Sequence, residues 1–259
     1  MVQKKRLRNF FSIRAIAPNA VTVLAFSMGL TAVRFALAGK WELSVAAIII
    51  AGVFDGLDGT VARLLRSTSK FGAELDSLSD VVAFGVVPAL VVYLWTLQGL
   101  DRLGWAAALI YAVAMALRLA RFNARMDLED ENDVRKQMGF LTGVPAPMGA
   151  GLVVAPMVLD FGFTGNYMQS HPHFLAVYTV LIALLMVSTL PTFTLKLVRV
   201  PRESFVPVLL LVATFFAALF VYPWSALIAV SGLYLISIPL CSIAYRKRLA
   251  EIKRADPEA

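Results

Sequence analysis

Apolar stretches of about 17–25 residues, each long enough to cross a bilayer, recur eight times along this chain. They lie near residues 19–38, 43–62, 76–98, 104–123, 144–163, 174–193, 205–222 and 224–245. Hydrophobic residues make up 59% of the 259 residues and charged residues 16%, a balance typical of membrane proteins with several spans. The pattern predicts an all-α, polytopic integral membrane helical bundle of eight transmembrane helices, with little chain left for a soluble domain.

Basic residues are distributed unevenly between the connections of these spans. If eight spans alternate, 21 of the 24 Lys and Arg fall on one face, leaving Lys40 and Arg102 in opposite loops and Arg34 within the first span. The positive-inside rule then places both termini and that face in the cytoplasm. We therefore expect a multi-pass protein of the cytoplasmic (inner) membrane. The net charge of +7 does not indicate nucleic acid, because the basic residues lie at span ends, beside lipid head groups.

Four aspartates lie inside or at the edge of the second and third apolar stretches. Asp55 and Asp58 are three residues apart, and Asp76 and Asp80 are four apart, so each pair shares one face of a helix. A carboxylate at bilayer depth costs several kcal/mol unless it is paired or binds a cation. Two such faces brought together would form an oxygen-rich cage, which suits hard divalent ions such as Mg²⁺ or Mn²⁺.

The aspartates belong to a longer pattern, D-x2-D-G-x2-A-R-x8-G-x3-D-x3-D. Its fixed positions are filled by Asp55, Asp58, Gly59, Ala62, Arg63, Gly72, Asp76 and Asp80. This pattern resembles the signature of the CDP-alcohol phosphotransferase family, membrane enzymes that move a phosphoryl-linked group from a CDP-activated donor to an alcohol. The resemblance implies one domain over residues 1–259, with a core at about 15–200 and two further spans and a basic tail at 201–259.

The resemblance also implies roles for individual residues. The four aspartates would hold one or two Mg²⁺ or Mn²⁺ ions, and Asp80 would be the general base. Gly59 and Ala62 would leave a bare helix face that a cytosine and its phosphates can approach. The residues implied in binding the CDP donor are Asn19, Thr22, Gly59, Ala62, Arg63, Gly72 and Ser77.

Further motifs resemble the phosphatidylserine synthase branch of the family. They are E-L-D-S-L-S-D-V-V-A-F-G-V-V-P at residues 74–88, R-L-A-R-F-N at 118–123, T-G-V-P-A-P at 142–147 and S-T-L-P-T-F-T-L-K at 188–196. The branch implies CDP-diacylglycerol and L-serine as substrates, and a homodimer. Arg118, Arg121 and Lys196 are candidates to bind the serine carboxylate, although each could equally be an orientation-setting charge. The likeness runs from Pro18 to about Lys196, and the last two spans match only in being apolar.

Three alternatives remain open at this point. The same chemistry could use another acceptor, namely choline, glycerol 3-phosphate or inositol phosphate. An ion transporter would also carry intramembrane acids, but transporters often repeat their broken segments in both halves, and spans five to eight contain no matching set of aspartates. A scaffold protein would not be expected to keep four such acids. The polar connection at 124–143 is expected to be a solvated loop, or else a lid near the site.

Overall fold

The computed structural model describes residues 13–65, 69–127, 140–193 and 205–255. Within these ranges the chain is mostly helical, and every apolar stretch in the sequence coincides with a helical segment. Six of the described helices are long and apolar enough to cross a membrane. The helices are α1 Ile13–Leu37, α2 Trp41–Leu64, α3 Lys70–Asp80, α4 Val87–Trp95, α5 Asp101–Asp127, α6 Ala146–Leu159, α7 Pro172–Val187, α8 Phe205–Val221 and α9 Pro223–Ala255.

Shorter elements join these helices. A π-helical segment, Val81–Val86, continues α3 into α4, and a second, Asp160–Thr164, follows α6. A 3₁₀ turn, Leu97–Leu100, precedes α5. Strands β1 (Phe140–Thr142) and β2 (Pro191–Phe193) form a two-stranded antiparallel sheet. The third apolar stretch is therefore one long helix, α3 to α4, with a widened turn in its middle.

Small residues allow α1 to pack closely against its neighbours. Ala25, Ala32 and Ala36 are buried along α1, and the Ser44 hydroxyl of α2 donates a hydrogen bond of 2.8 Å to the carbonyl oxygen of Ala32. A Cβ atom on Gly29 would lie 3.2 Å from the Cα atom of Ala83. Packing of this kind is what holds helices together in a bilayer, where burial of apolar surface gives no driving force.

The π-helical segment between α3 and α4 is held from α5. The hydroxyl of Tyr111, which is fully buried, donates a hydrogen bond of 3.0 Å to the carbonyl oxygen of Phe84. A π turn leaves backbone groups without their usual helical partners, so this bond satisfies one of them. Asp80 is the last residue of α3, so the π-helical segment begins directly after that aspartate.

The sequence prediction of the sixth span is wrong at its end. The apolar stretch runs to residue 193, but α7 ends at Val187, and Pro191–Phe193 form β2. The residue before a proline is biased away from helical geometry, and proline itself is tolerated at the first position of a strand. In the sheet, Leu141 lies opposite Thr192. The other proline-containing segment, at 142–147, leads into a helix, since α6 begins directly after Pro145.

The end of the bundle farther from the aspartates is closed by a buried carboxylate. Asp160 accepts hydrogen bonds from the Thr164 hydroxyl at 2.6 Å and from the backbone N–H groups of Met168 and Gln169, both at 2.9 Å. The Gln169 side chain in turn donates to the carbonyl oxygen of Trp95 at 3.0 Å. This aspartate is thus fully used in tying a turn to the end of α4.

Candidate functional site

Three of the four signature aspartates come together where α2 and α3 meet. One carboxylate oxygen from each of Asp55, Asp76 and Asp80 lies within 4.8 Å of the others. Oδ1 of Asp76 is buried and has no hydrogen-bond partner among the residues that the structure describes. Three carboxylates this close repel one another unless a cation or a shared proton lies between them, and Asp55 and Asp80 are hydrogen-bonded to each other. An all-oxygen set of this kind suits hard divalent ions. The residues present therefore fit a divalent metal site.

Asp58 is not part of this group of three, although it interacts electrostatically with Asp76. Its side chain is buried, and its Oδ2 accepts a hydrogen bond of 2.7 Å from the Thr22 hydroxyl of α1. Asp58 lies on α2 with Asp55, as expected, but its carboxylate is oriented by the hydrogen bond from Thr22 of α1. Its role as a metal ligand stays a prediction.

A cleft of about 150 Å³ opens beside the aspartates, between the start of α1, the end of α2 and the start of α3. Both Asp58 and Asp76 lie in its wall, so the cleft and the aspartates form one continuous site. Five of the residues predicted to bind the donor line it. These are Asn19, Thr22, Gly59, Ala62 and Gly72.

Local structure explains why glycine occupies two of these positions. Ser69 caps α3, and its hydroxyl oxygen accepts a hydrogen bond of 3.0 Å from the backbone N–H of Gly72. A Cβ atom on Gly72 would lie 2.8 Å from Oδ1 of Asn19, which is too close for both to stay in place. A Cβ atom on Gly59 would meet no protein atom within 4 Å. Gly72 therefore allows α1 to approach α3, whereas Gly59 leaves the cleft wall open.

Two other predicted donor residues do not line the cleft. Arg63 is exposed, and its Nε donates to the carbonyl oxygen of Gly59 at 3.0 Å. The Ser77 hydroxyl oxygen accepts a hydrogen bond of 2.9 Å from the Asn123 side chain, which ties α3 to α5. Their part in donor binding stays a prediction.

The structure distinguishes among the three candidates for acceptor binding. Arg118 is largely buried, interacts electrostatically with Asp80, and its Nε has no hydrogen-bond partner. Arg121 is engaged with the protein, because its Nη2 donates to the carbonyl oxygen of Ser188 at 3.3 Å. Lys196 lies outside the described residues, as does most of the 124–143 connection. Of the three, Arg118 alone is shown beside the aspartates.

Sequence reasoning missed two polar residues near Arg118. Tyr234 comes from α9, and its buried hydroxyl lies near Arg118 and Thr192. Thr192 comes from β2 and donates a hydrogen bond of 2.7 Å to the carbonyl oxygen of Gly143. The sequence did offer one signal for Tyr234, because it lies within the apolar stretch 224–245. A buried tyrosine hydroxyl usually has a polar partner, so such a tyrosine indicates polar groups nearby.

Comparison with known proteins gives matches along the whole chain. The family model described as CDP-alcohol phosphatidyltransferase matches residues 15–169, and a model described as CDP-alcohol phosphatidyltransferase 2 matches residues 203–239. The second match corrects the expectation that the last two spans are similar only in being apolar.

Curated relatives extend the likeness over most of both chains. A CDP-diacylglycerol–serine O-phosphatidyltransferase of Mycobacterium leprae is 36% identical over 259 residues, which is 100% of this chain and 83% of the relative. The protein of that name from Mycobacterium tuberculosis strain H37Rv is 37% identical over 92% of this chain and 82% of its own length. The protein of that name from Helicobacter pylori strain 26695 is 35% identical over 85% of this chain and 87% of its own length.

Proposed function

Because this chain belongs to the CDP-alcohol phosphatidyltransferase family, we propose that it transfers the phosphatidyl group of CDP-diacylglycerol to the hydroxyl of L-serine, giving phosphatidylserine and CMP. The observation that carries the proposal is the whole-length similarity to relatives named for this reaction. The cleft adds support, because residues of the family signature line it beside a carboxylate cluster.

The residues of the cleft wall support binding of the cytidine and the phosphates of the donor. The open surface at Gly59 and Ala62 accommodates the flat cytosine and its phosphates, with Asn19 and Thr22 of α1 on the facing side. Arg63, at the end of α2, supplies a cation to a phosphate by charge-assisted hydrogen bonds once it leaves the Gly59 carbonyl. The acyl chains remain in the bilayer, reaching the site sideways between helices.

One or two Mg²⁺ or Mn²⁺ ions would be held by Asp55, Asp76 and Asp80, with Asp58 as a further ligand. Bound there, a divalent ion supplies Lewis-acid neutralisation of the donor pyrophosphate and of the departing CMP. The orphaned Oδ1 of Asp76 supports this assignment, because a buried carboxylate oxygen without a partner is costly unless a ligand satisfies it.

The transfer exchanges one phosphorus–oxygen bond for another. The serine hydroxyl oxygen forms a bond to the phosphorus that carries the diacylglycerol, and the bond from that phosphorus to the bridging oxygen breaks. CMP leaves with the bridging oxygen and its electron pair. The carboxylate of Asp80 accepts the proton of the serine hydroxyl, and a carboxylate beside a bound divalent ion would be a weak base that receives the proton late in the step.

We also propose how the protein is oriented in the membrane. The basic residues of the tails and alternate connections support eight spans, both termini in the cytoplasm and an active site at the cytoplasmic face of the cell's inner membrane. The family resemblance supports a homodimer in that membrane. Residues 1–259 would form a single catalytic domain.

The test is release of CMP from CDP-diacylglycerol by the purified protein with Mg²⁺ or Mn²⁺. L-serine, choline, glycerol 3-phosphate and inositol phosphate are compared as acceptors. We expect release with L-serine that a chelator abolishes and added metal restores. Release with one of the other acceptors alone would overturn serine as substrate and keep the aspartate site. If folded protein releases no CMP with any acceptor, the proposed reaction is rejected and the ion transporter becomes the favoured function.

A further inference from the structure

Unpaired polar atoms in the buried part of the structure are concentrated near the aspartates. Among the described residues, four buried side-chain polar atoms have no hydrogen-bond partner: Asp76 Oδ1, Arg118 Nε, Thr179 Oγ1 and Tyr234 Oη. Asp76 belongs to the carboxylate cluster, Arg118 interacts electrostatically with Asp80, and Tyr234 interacts with Arg118. Three of the four therefore share one neighbourhood, although they come from α3, α5 and α9.

The wall around Arg118 and Tyr234 is built from the motifs that the metal site and the cleft do not use. The backbone N–H of Gly143 donates to the carbonyl oxygen of Leu190 at 2.8 Å, next to the β1–β2 pair. Arg121 donates to the carbonyl oxygen of Ser188, and Thr192 donates to that of Gly143. The segments 118–123, 142–147 and 188–193 are thus joined to one another by hydrogen bonds.

Helix α9 covers this wall. It packs against β2 and α6, and its residues Ile238 and Cys241 are buried. Tyr234 places its hydroxyl beside Thr192, but no hydrogen bond of acceptable geometry joins the two, and the Thr192 hydrogen is committed to Gly143. Among the described residues, the Tyr234 hydroxyl and the Arg118 Nε are two buried polar atoms that lack a hydrogen-bond partner, and their side chains interact electrostatically.

We propose that Arg118 and Tyr234 bind the carboxylate of the amino-acid acceptor, and that Tyr234 of the last helix is a specificity-determining residue. This inference rests on the proposed function. A guanidinium and a neutral hydroxyl match the single negative charge of a carboxylate, because both donate to its oxygens. A choline cation would be repelled by Arg118. A phosphorylated acceptor carries about two charges and would want a second free cation, whereas the neighbouring Arg121 is engaged with Ser188.

The arrangement also orients the acceptor. Arg118 lies on α5 facing Asp80, so a carboxylate bound there leaves the small remainder of serine, with its hydroxyl, on the side of the aspartates. The binding site proposed for the acceptor, at Arg118 and Tyr234, is therefore completed by α9. This is one of the two helices in which sequence reasoning found only apolar character.

The first test replaces Tyr234 by phenylalanine, which removes only the hydroxyl. We expect the KM for L-serine to rise at least about tenfold, the usual cost of losing a hydrogen bond to a charged group, while the KM for CDP-diacylglycerol is unchanged. Tyr178→Phe is the matched control, because its hydroxyl donates to the backbone carbonyl of Leu152 at 2.8 Å, away from the aspartates. That variant should keep the wild-type KM for serine.

A second measurement uses L-serinamide, which lacks the carboxylate, as the competing acceptor. The wild-type preference for L-serine over L-serinamide should fall about tenfold in Tyr234→Phe, and further in Arg118→Lys, which keeps the charge but loses the planar donor fork. If wild-type protein uses no serine, the proposed function fails. If it uses serine and both variants keep the wild-type KM and preference, this inference alone is overturned. If one of the two variants does not fold, the result with the other variant decides whether the inference holds.

Discussion

The four signature aspartates differ in what their carboxylates contact, and the difference predicts how each responds to loss of charge. Asp80 lies in the cluster with Asp55 and Asp76, and Arg118 faces it from α5. Replacement by asparagine keeps the shape but removes the carboxylate that we propose as the acceptor of the serine proton. We expect Asp80→Asn to lower kcat by about 10²- to 10⁴-fold while the protein still binds CDP-diacylglycerol, measured by CMP release and by equilibrium donor binding.

Asp160→Asn is the matched control for that experiment. It makes the same chemical change in a buried aspartate whose three hydrogen bonds all serve the turn at the other end of the bundle. We expect a lower melting temperature and a normal kcat per folded molecule. Near-normal turnover in Asp80→Asn would reject Asp80 as the base.

Two glycines of α2 offer a test of where the donor lies. A Cβ atom on either Gly56 or Gly59 would meet no protein atom within 4 Å, and both residues are exposed, but only Gly59 lines the cleft. Alanine stabilises an exposed helix by up to about 1 kcal/mol relative to glycine, so neither change should unfold the protein. We expect Gly59→Ala to raise the KM for CDP-diacylglycerol and Gly56→Ala to leave it unchanged. Equal KM values in the two variants would place the donor elsewhere.

At the scale of elements, the π-helical segment after Asp80 is the feature on which the site depends most. The Tyr111 hydroxyl is the hydrogen-bond donor that α5 gives to the Phe84 carbonyl oxygen. Tyr111→Phe leaves that buried oxygen without this partner, at a cost of about 1–3 kcal/mol. We expect a lower melting temperature, together with a lower kcat because the turn that follows Asp80 is no longer fixed.

Tyr178→Phe separates the two effects of that change. It also removes a hydrogen bond from a largely buried tyrosine to a backbone carbonyl, but in α7 against α6. Both variants should lose thermal stability in detergent, and only Tyr111→Phe should lose kcat at temperatures where the protein is fully folded. If the two variants have the same kcat, the π segment has no positioning role.

Hydropathy predicted where the helices lie, because length and apolar composition are local properties. It could not predict that α7 ends at Val187, since the residues after it remain apolar while Pro191 and its neighbours form a strand. It could not predict the π segment either, because Val81–Val86 reads as an ordinary apolar run. That widened turn depends on Tyr111 and Met115 of another helix, which is tertiary information.

For the whole molecule, the family prediction is confirmed, and the residues fixed by the signature account for much of the cleft. Spacing along α2 and α3 predicted a cage of four aspartates, and the structure brings Asp55, Asp76 and Asp80 together. Spacing could not show that Thr22 orients Asp58, or that the three later motifs meet beside Arg118. Tyr234 was missed for the same reason, because its neighbours come from segments more than forty residues away along the chain.

The path of the chain through the membrane is the remaining property of the whole molecule that can be tested. Single cysteines are introduced after replacing the lone native one by Cys241→Ala, and labelled in intact cells with an impermeant maleimide. Position 40 lies in an exposed loop and position 102 in the exposed first turn of α5, and eight spans place both outside. Position 70 begins α3, which eight spans place on the cytoplasmic face. We expect Lys40→Cys and Arg102→Cys to react in intact cells, and Lys70→Cys to react only after the membrane is opened.

Position 190 distinguishes eight spans from six. Helices α7 and α8 have 16 and 17 residues, shorter than the six long apolar helices. If both cross, the exposed Leu190 between them faces the cytoplasm, and Leu190→Cys is protected in intact cells. If neither crosses, position 190 stays outside with the turn at 165–171 and is labelled at once. Labelling would also put β2 on the opposite side of the membrane from β1, which the β1–β2 pairing and the hydrogen bonds from Arg121 and Thr192 argue against. We therefore expect protection at position 190, and with it eight spans.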